Sequence, residues 1–346
     1  MKFFKQTGKK RVFILLTTCI LLAGVASFLL LTGTFSTMAY LISGRRDKPS
    51  DISFPDVQCP PVEAAYASLE EAQAAGGGWY ATMIESFEGD ELPWPWFASP
   101  HGLRNTEYWC DNLIDASEDG KVKVLAFHAD DHACEICPAE GDFTSGIETR
   151  RIADGVSEQV FEQAFGYYEA RVYLPKGPGL WSAFWLQTNS MGQLGNRGKD
   201  GSEIDIYESA FHFDPAKMGN CIHWDGYARF YDHYGTVTDT GVNHYDGWQT
   251  YGLLWTPESY TFFHNGKAIW QTNAGGVSRV PSFLRLTVEI RRQAFGPYGA
   301  KLGEFGNTRE NPSVFEIDYV KVYQHTDFLE HIRTPDSFEP LRIPWF

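Results

Sequence analysis

Three acids crowd the stretch Gly201–Ser209, which reads Gly-Ser-Glu-Ile-Asp-Ile-Tyr-Glu-Ser. Glu203, Asp205 and Glu208 alternate with apolar Ile204, Ile206 and Tyr207, the pattern of a strand with one buried face. Two-residue spacing puts Glu203 and Asp205 on the same face. Like charges this close resist full ionisation, so such a row belongs beside a wet cleft rather than in a dry core. Glu208 has an odd offset from Glu203, which in an unbroken strand turns it to the opposite face. A single bulge near Tyr207 returns it to the acid face, and bulges tend to occur beside active sites, where they re-aim a side chain. A nucleophilic carboxylate, a second that acts as acid and then base, and a middle acid to hold a proton or orient the first are the equipment of glycoside hydrolysis. A solvated strand face carrying acids is the plainer reading of any isolated E-x-D-x-x-E, so the surrounding chain decides between them.

The elements that must position this strand are themselves strands. From Trp79 onward, short runs rich in Tyr, Phe, Val, Ile and Thr alternate with Gly, Pro, Asn and Asp turns, and helical periodicity is scarce. The spacing predicts strands over 121–128, 166–174, 182–187, 202–207, 249–256, 260–264, 284–290 and 315–323. So many antiparallel candidates without a repeat period predict an all-β, two-sheet β-jelly-roll sandwich. Residues 47–78, rich in Pro, Ala and Glu and closed by Gly76-Gly77-Gly78, read as a linker with one short helix over 67–75. The jelly-roll domain is expected over 79–325, and 326–346 as a tail packed along its surface.

At the other end, Lys2, Lys5, Lys9, Lys10 and Arg11 precede an uncharged stretch from Val12 to Gly44, of which Val12 to Leu31 is almost wholly apolar and long enough to cross a bilayer. We read residues 1–46 as a basic flank and membrane anchor, with a cleaved signal peptide as the alternative. Either reading leaves the flank in the cytoplasm and the rest outside. Of 29 basic residues, seven stand in those first 46 beside no acid, so the outer part sets 44 acids against 22 cations. Such a surface repels polyanions, which argues against nucleic acid and for a neutral substrate unless a local basic groove overrides it. Cys59, Cys110, Cys134, Cys137 and Cys221 then lie where disulfides persist, and one or two surface-loop disulfides are expected. The run His128 to Cys137 (HADDHACEIC) also carries C-x-x-C near histidines, a metal-ligand spacing, although no second such pair follows it.

Taken together these stretches resemble glycoside hydrolase family 16, the laminarinase, lichenase and agarase group. Glu203-Ile-Asp-Ile-Tyr-Glu208 resembles that family's bulged catalytic strand. Residues 166–186 (GYYEARVYLPKGPGLWSAFWL) resemble its strands leading into the cleft, and residues 249–266 and 315–323 resemble its later strands. The resemblance implies a concanavalin A-like jelly roll with an open groove, Glu203 as nucleophile, Asp205 as its assisting acid and Glu208 as general acid and base. It implies no cofactor for catalysis. It also implies, as in some members, a structural calcium ion held through Asp318. Trp181 and Trp185, four apart on one strand, would line the groove and stack on sugar rings, with Trp224 and its neighbour His223 next in line. Trp255 and Trp270 are expected in the core. Where many relatives carry an Asn-rich strand, this chain has Leu284-Arg-Leu-Thr-Val-Glu-Ile-Arg-Arg292, which points Glu289 at the groove.

The first expectation is a monomeric endo-β-1,3-glucanase. Mixed-linkage β-1,3-1,4-glucan, galactan cleavage and transglycosylation share the same catalytic parts. A non-catalytic glycan-binding sandwich is the alternative from a different class, and the intact acid trio argues against it.

Overall fold

Glu203–Glu208, Leu180–Gln187 and Ser282–Ile290 lie side by side in one sheet, and apolar and polar residues alternate strictly along the last of them from Leu284 to Ile290, giving it one dry face and one open face. The computed structural model describes residues 57–117, 120–129, 137–138, 140–153, 155–209, 214–292 and 304–338. The expected anchor segment falls outside them, and among the described residues no helix is long and apolar enough to cross a membrane.

Two sheets, of eleven and eight strands among the described residues, pack face to face. The smaller runs in the order Asp232–Asp239, Lys217–Trp224, Glu203–Glu208, Leu180–Gln187, Ser282–Ile290, Gly146–Glu148, Phe97–Ala98. The larger is built around Gly166–Tyr173, which pairs antiparallel with both Gln249–Trp255 and Ser313–His325. Between them lies a continuous core, to which the smaller sheet sends Phe184, Leu186, Ile204, Ile222, Leu286 and Val288, and the larger Val124, Ala170, Leu253, Ile317 and Val320. Tyr207 and Tyr251 stack across the interface with ring centroids 3.9 Å apart. Trp255 and Trp270 sit in this core, as expected.

The described part of the expected linker is not a free tether. Val57, Cys59, Val62 and Ala65 pack with Tyr167, Phe263 and Tyr323. Cys59 Sγ donates to Tyr167 Oη at 2.9 Å, and Tyr66 bridges to Tyr80. Burying those scattered apolar side chains on the sheet outweighs the loop-like composition. The short helix is Leu69–Ala74, whose N-cap Ser68 accepts from the Glu71 amide. After the last strand, Phe328 and Ile332 pack on the core and Arg333 N donates to Arg279 O, so the described start of the tail lies along the surface.

Candidate active site

The strand Glu203–Glu208 carries the expected bulge. Against Leu180–Gln187 the register runs Ala183 to Glu208, Phe184 to Tyr207, then Trp185 to Asp205, which leaves Ile206 without a partner. The pairing with Lys217–Trp224 slips at the same place, from Asp205 and Cys221 to Glu208 and Gly219. Two successive residues, Ile206 and Tyr207, therefore both enter the core. The extra residue reverses the parity, and Glu203, Asp205 and Glu208 emerge on one face.

That face floors a groove of about 670 Å3. Period-two alternation supplies Trp181, Ala183, Trp185 and Gln187 from one neighbouring strand, and Arg285, Thr287, Glu289 and Arg291 along the strand beyond. His223 joins from the other side, opposite Glu203. The segment Pro100–Asn105 and Trp109 form a wall.

Each acid has a distinct set of partners. Glu203 Oε2 accepts from the Tyr227 hydroxyl and, at 3.1 Å, from Gln187 Nε2, while Gln187 Oε1 takes a hydrogen bond from Arg285 Nη1 at 3.2 Å. Arg285 thus fixes the amide so that its NH2 faces the carboxylate. Asp205 Oδ2 lies 2.8 Å from His223 Nε2, whose Nδ1 is 2.6 Å from the Tyr231 hydroxyl. Glu208 takes a hydrogen bond from the Trp181 side chain.

Burial dominates the electrostatics and disfavours every charge in the row. It pushes Glu203 up to about 7, with Asp205 adding to the rise and His223 and Tyr227 opposing it. Asp205 rises to about 8 through burial and the charge of Glu289. Glu208 lies well above the usual carboxylate range because of burial and then Asp205, opposed by His223 and Trp181. Glu203, with two donors on one oxygen, is the better suited to ionise, and Glu208 to hold a proton.

Glu289 does face the groove. It is clamped by Arg104 Nε and Arg291 Nη2, each 2.6 Å from one of its oxygens. Trp185 is a buried floor residue rather than an open platform: its Nε1 donates to Thr287 Oγ1 at 3.0 Å, and the Arg285 guanidinium covers the ring at 4.1 Å. Trp181 is more accessible, with Arg291 5.1 Å from its ring centroid.

Two expectations need correction. Trp224 does not line the groove. Its neighbour His223 faces the acids, so alternation turns Trp224 into the core, where Gly275 leaves room for the indole. Asp318 is held by Arg171 Nη1 at 2.5 Å. A calcium ion there would sit against a guanidinium, so the side chains present do not fit it.

Sequence reasoning missed Tyr227, Gln187 and the arginines. Gln187 and Arg285 could have been found by extending the period-two faces that already contained Trp185 and Glu289. Tyr227 follows the Asp225-Gly226 turn, where both residues have positive φ, and that turn was the available signal.

Comparison with known proteins agrees with this arrangement. The profile described as glycosyl hydrolases family 16 matches residues 139–290. An endo-1,3-1,4-beta-glycanase, EglC, of Rhizobium meliloti is 27% identical over 184 residues, covering 53% of this chain and 34% of that protein. A glucan endo-1,3-beta-glucosidase of Cryptopygus antarcticus is 27% identical over 192 residues, covering 54% and 66%. The chain thus spans about a third of the first of these relatives. The crystal structure of the endo-beta-1,3-glucanase of Pyrococcus furiosus shares the fold with a TM-score of 0.55 and 22% identity, over 72% of this chain and 96% of that one. The matched region contains the bulged acid strand, so over residues 139–290 the chain is similar to glycosyl hydrolases family 16.

Proposed function

We propose that the protein is a retaining endo-acting β-glycanase working outside the cytoplasm, with Glu203 as nucleophile and Glu208 as general acid and base. The observation that carries this reading is the bulge at Ile206, which gathers three buried acids on the floor of one groove. In the first step Glu208 gives its proton to the glycosidic oxygen as a Glu203 oxygen bonds to the anomeric carbon and the C–O bond breaks. Tyr227 and Gln187 both engage Oε2, which leaves Oε1 the freer oxygen for attack. In the second step Glu208, now ionised, takes a proton from water, and that water displaces Glu203. Asp205, braced by His223, holds the nucleophile's orientation.

The first choice of substrate is a β-1,3-glucan, in keeping with the names of the relatives and the acidity of the outer chain. Product analysis on laminarin, lichenan and agarose tests it. Reducing oligosaccharides from laminarin first would support it, and binding without turnover would return the protein to the glycan-binding class.

One observation favours a second reading, a glycan bearing acidic substituents. Arg104, Arg150, Arg285 and Arg291 all line the groove, facing the carboxyl groups of Glu203, Asp205, Glu208 and Glu289, of which burial holds Asp205 and Glu208 towards their neutral forms and so leaves a positive balance. These guanidinium groups act at contact range, whereas repulsion from the distant acidic surface is screened beyond roughly 8 Å at physiological salt. Turnover of carboxylated or sulfated glycans that exceeds laminarin and falls steeply with added salt would select this reading. Indifference to salt would dismiss it.

A further inference from the structure

We infer that His101, Cys110 and Cys137 form a thiolate-imidazole site for a borderline-soft divalent cation of the zinc class, one that clamps the wall of the groove. Their donor atoms lie within 4.8 Å of one another. Cys137 Sγ is 2.8 Å from Cys110 Sγ and 3.6 Å from His101 Nε2. Donors around a tetrahedral ion with metal–S of about 2.3 Å and metal–N of about 2.0 Å stand roughly 3.5 to 3.8 Å apart. The sulfur–nitrogen distance already fits, and the sulfurs need to part by about an ångström. They are well beyond the roughly 2.05 Å of a disulfide, and a disulfide gives the converging imidazole no role.

The surroundings suit a metal. Asp111 Oδ1 lies 3.9 Å from the other ring nitrogen of His101, beyond hydrogen-bond distance but placing a carboxylate beside the ring. Cys110 and Cys137 are buried in a small satellite core with Leu113, Phe127, Ala129 and Phe143, separate from the main one. A cluster so small has little apolar area with which to hold its segments, which is where a staple contributes most. In the sequence, Cys137 closes the C-x-x-C that begins at Cys134.

The three donors come from segments that converge beside the wall. His101 lines the groove and leads into the hairpin of Gly102–Arg104 and Glu107–Trp109, and Cys110 follows directly on Trp109. That hairpin carries Arg104 to Glu289. Binding releases the thiol protons and ties both ends of the hairpin to one ion. Losing the ion should therefore loosen substrate binding more than the chemical step.

The test is metal analysis of the full chain purified without chelators or added metal. One zinc per chain is expected, lost in Cys137→Ser and His101→Ala and kept in His223→Ala, which removes the histidine of the groove floor. Cobalt exchanged into the wild-type protein should give thiolate-to-metal charge-transfer absorption in the near ultraviolet, a readout independent of glycanase activity and of any variant's folding. Zinc removal should raise KM several-fold with a smaller change in kcat. A peptide map joining Cys110 to Cys137 by a disulfide, with no stoichiometric metal, would overturn the inference. So would metal that leaves with His223 rather than His101.

Discussion

Removing a single hydroxyl, in Tyr227→Phe, tests how Glu203, the proposed nucleophile, is kept ionised. The Tyr227 ring is largely exposed, but its hydroxyl reaches Glu203 Oε2 and takes a hydrogen bond from Gln187 Nε2 at 2.6 Å. Burial already raises Glu203 to about 7, and the Tyr227 hydrogen bond is one of the interactions opposing that rise. A hydrogen bond to a charged group contributes about 1.5 to 3 kcal/mol, and water can partly replace this one beside an exposed ring, so about 1 kcal/mol is expected. At about 1.4 kcal/mol per pK unit, the acidic limb of the kcat/KM profile should move up by roughly 0.5 to 1 pH unit. The rate above that limb should fall less than tenfold, and the thermal midpoint should stay within a few degrees. The assay is initial-rate hydrolysis from pH 4 to 9 with the variant beside the wild type. An unmoved acidic limb, or one that moves down, would refute the role given to Tyr227 and weaken that given to Glu203.

Three further outcomes follow from burial. Trp224→Ala should cost about 3 to 5 kcal/mol of stability and leave the KM of the folded fraction unchanged, whereas Trp181→Ala should alter kinetics more than the melting midpoint; calorimetry beside steady-state kinetics separates the two. Glu203 has a folded pKa of about 7 against about 4.3 unfolded, so its contribution is present in full below the unfolded value and is lost as pH rises through 7. Glu203→Gln should therefore melt several degrees higher at pH 8 and little differently at pH 5, while being inactive. His264 has the opposite sign: burial lowers it to about 4, so its contribution is present above about 6.5 and lost as pH falls towards 4. The melting midpoint of His264→Gln should decline less steeply than that of the wild type across this window.

How much was legible depended on whether the information was local. The acid row and the shared face of Trp181 and Trp185 follow from period-two spacing along single strands, the resemblance to family 16 implied that this face and Glu289 line the groove, and the structure repeats both. Trp224 failed because its face is set by the cross-strand pairing of His223 with Glu203, which no local pattern encodes. The packed segment 57–78 failed because its apolar residues are too sparse to show a period, yet Val57, Cys59, Val62 and Ala65 find places on the sheet. The arginines were hidden differently. As charged residues on an outward strand face they read as solvated, and only the neighbouring strands reveal that the face is a groove floor.

The central claim is that Glu203 attacks and Glu208 handles the proton. The most direct measurement is the reaction of Glu208→Ala with an activated aryl β-glycoside in the presence of azide, with the product's configuration read by proton NMR. A phenolate leaves without acid help, so the variant should still form the glycosyl-enzyme, and azide should enter where water no longer finds a base. The account predicts faster turnover and a β-glycosyl azide. An α-glycosyl azide, or loss of activity on the aryl glycoside as deep as on the polysaccharide, would contradict it.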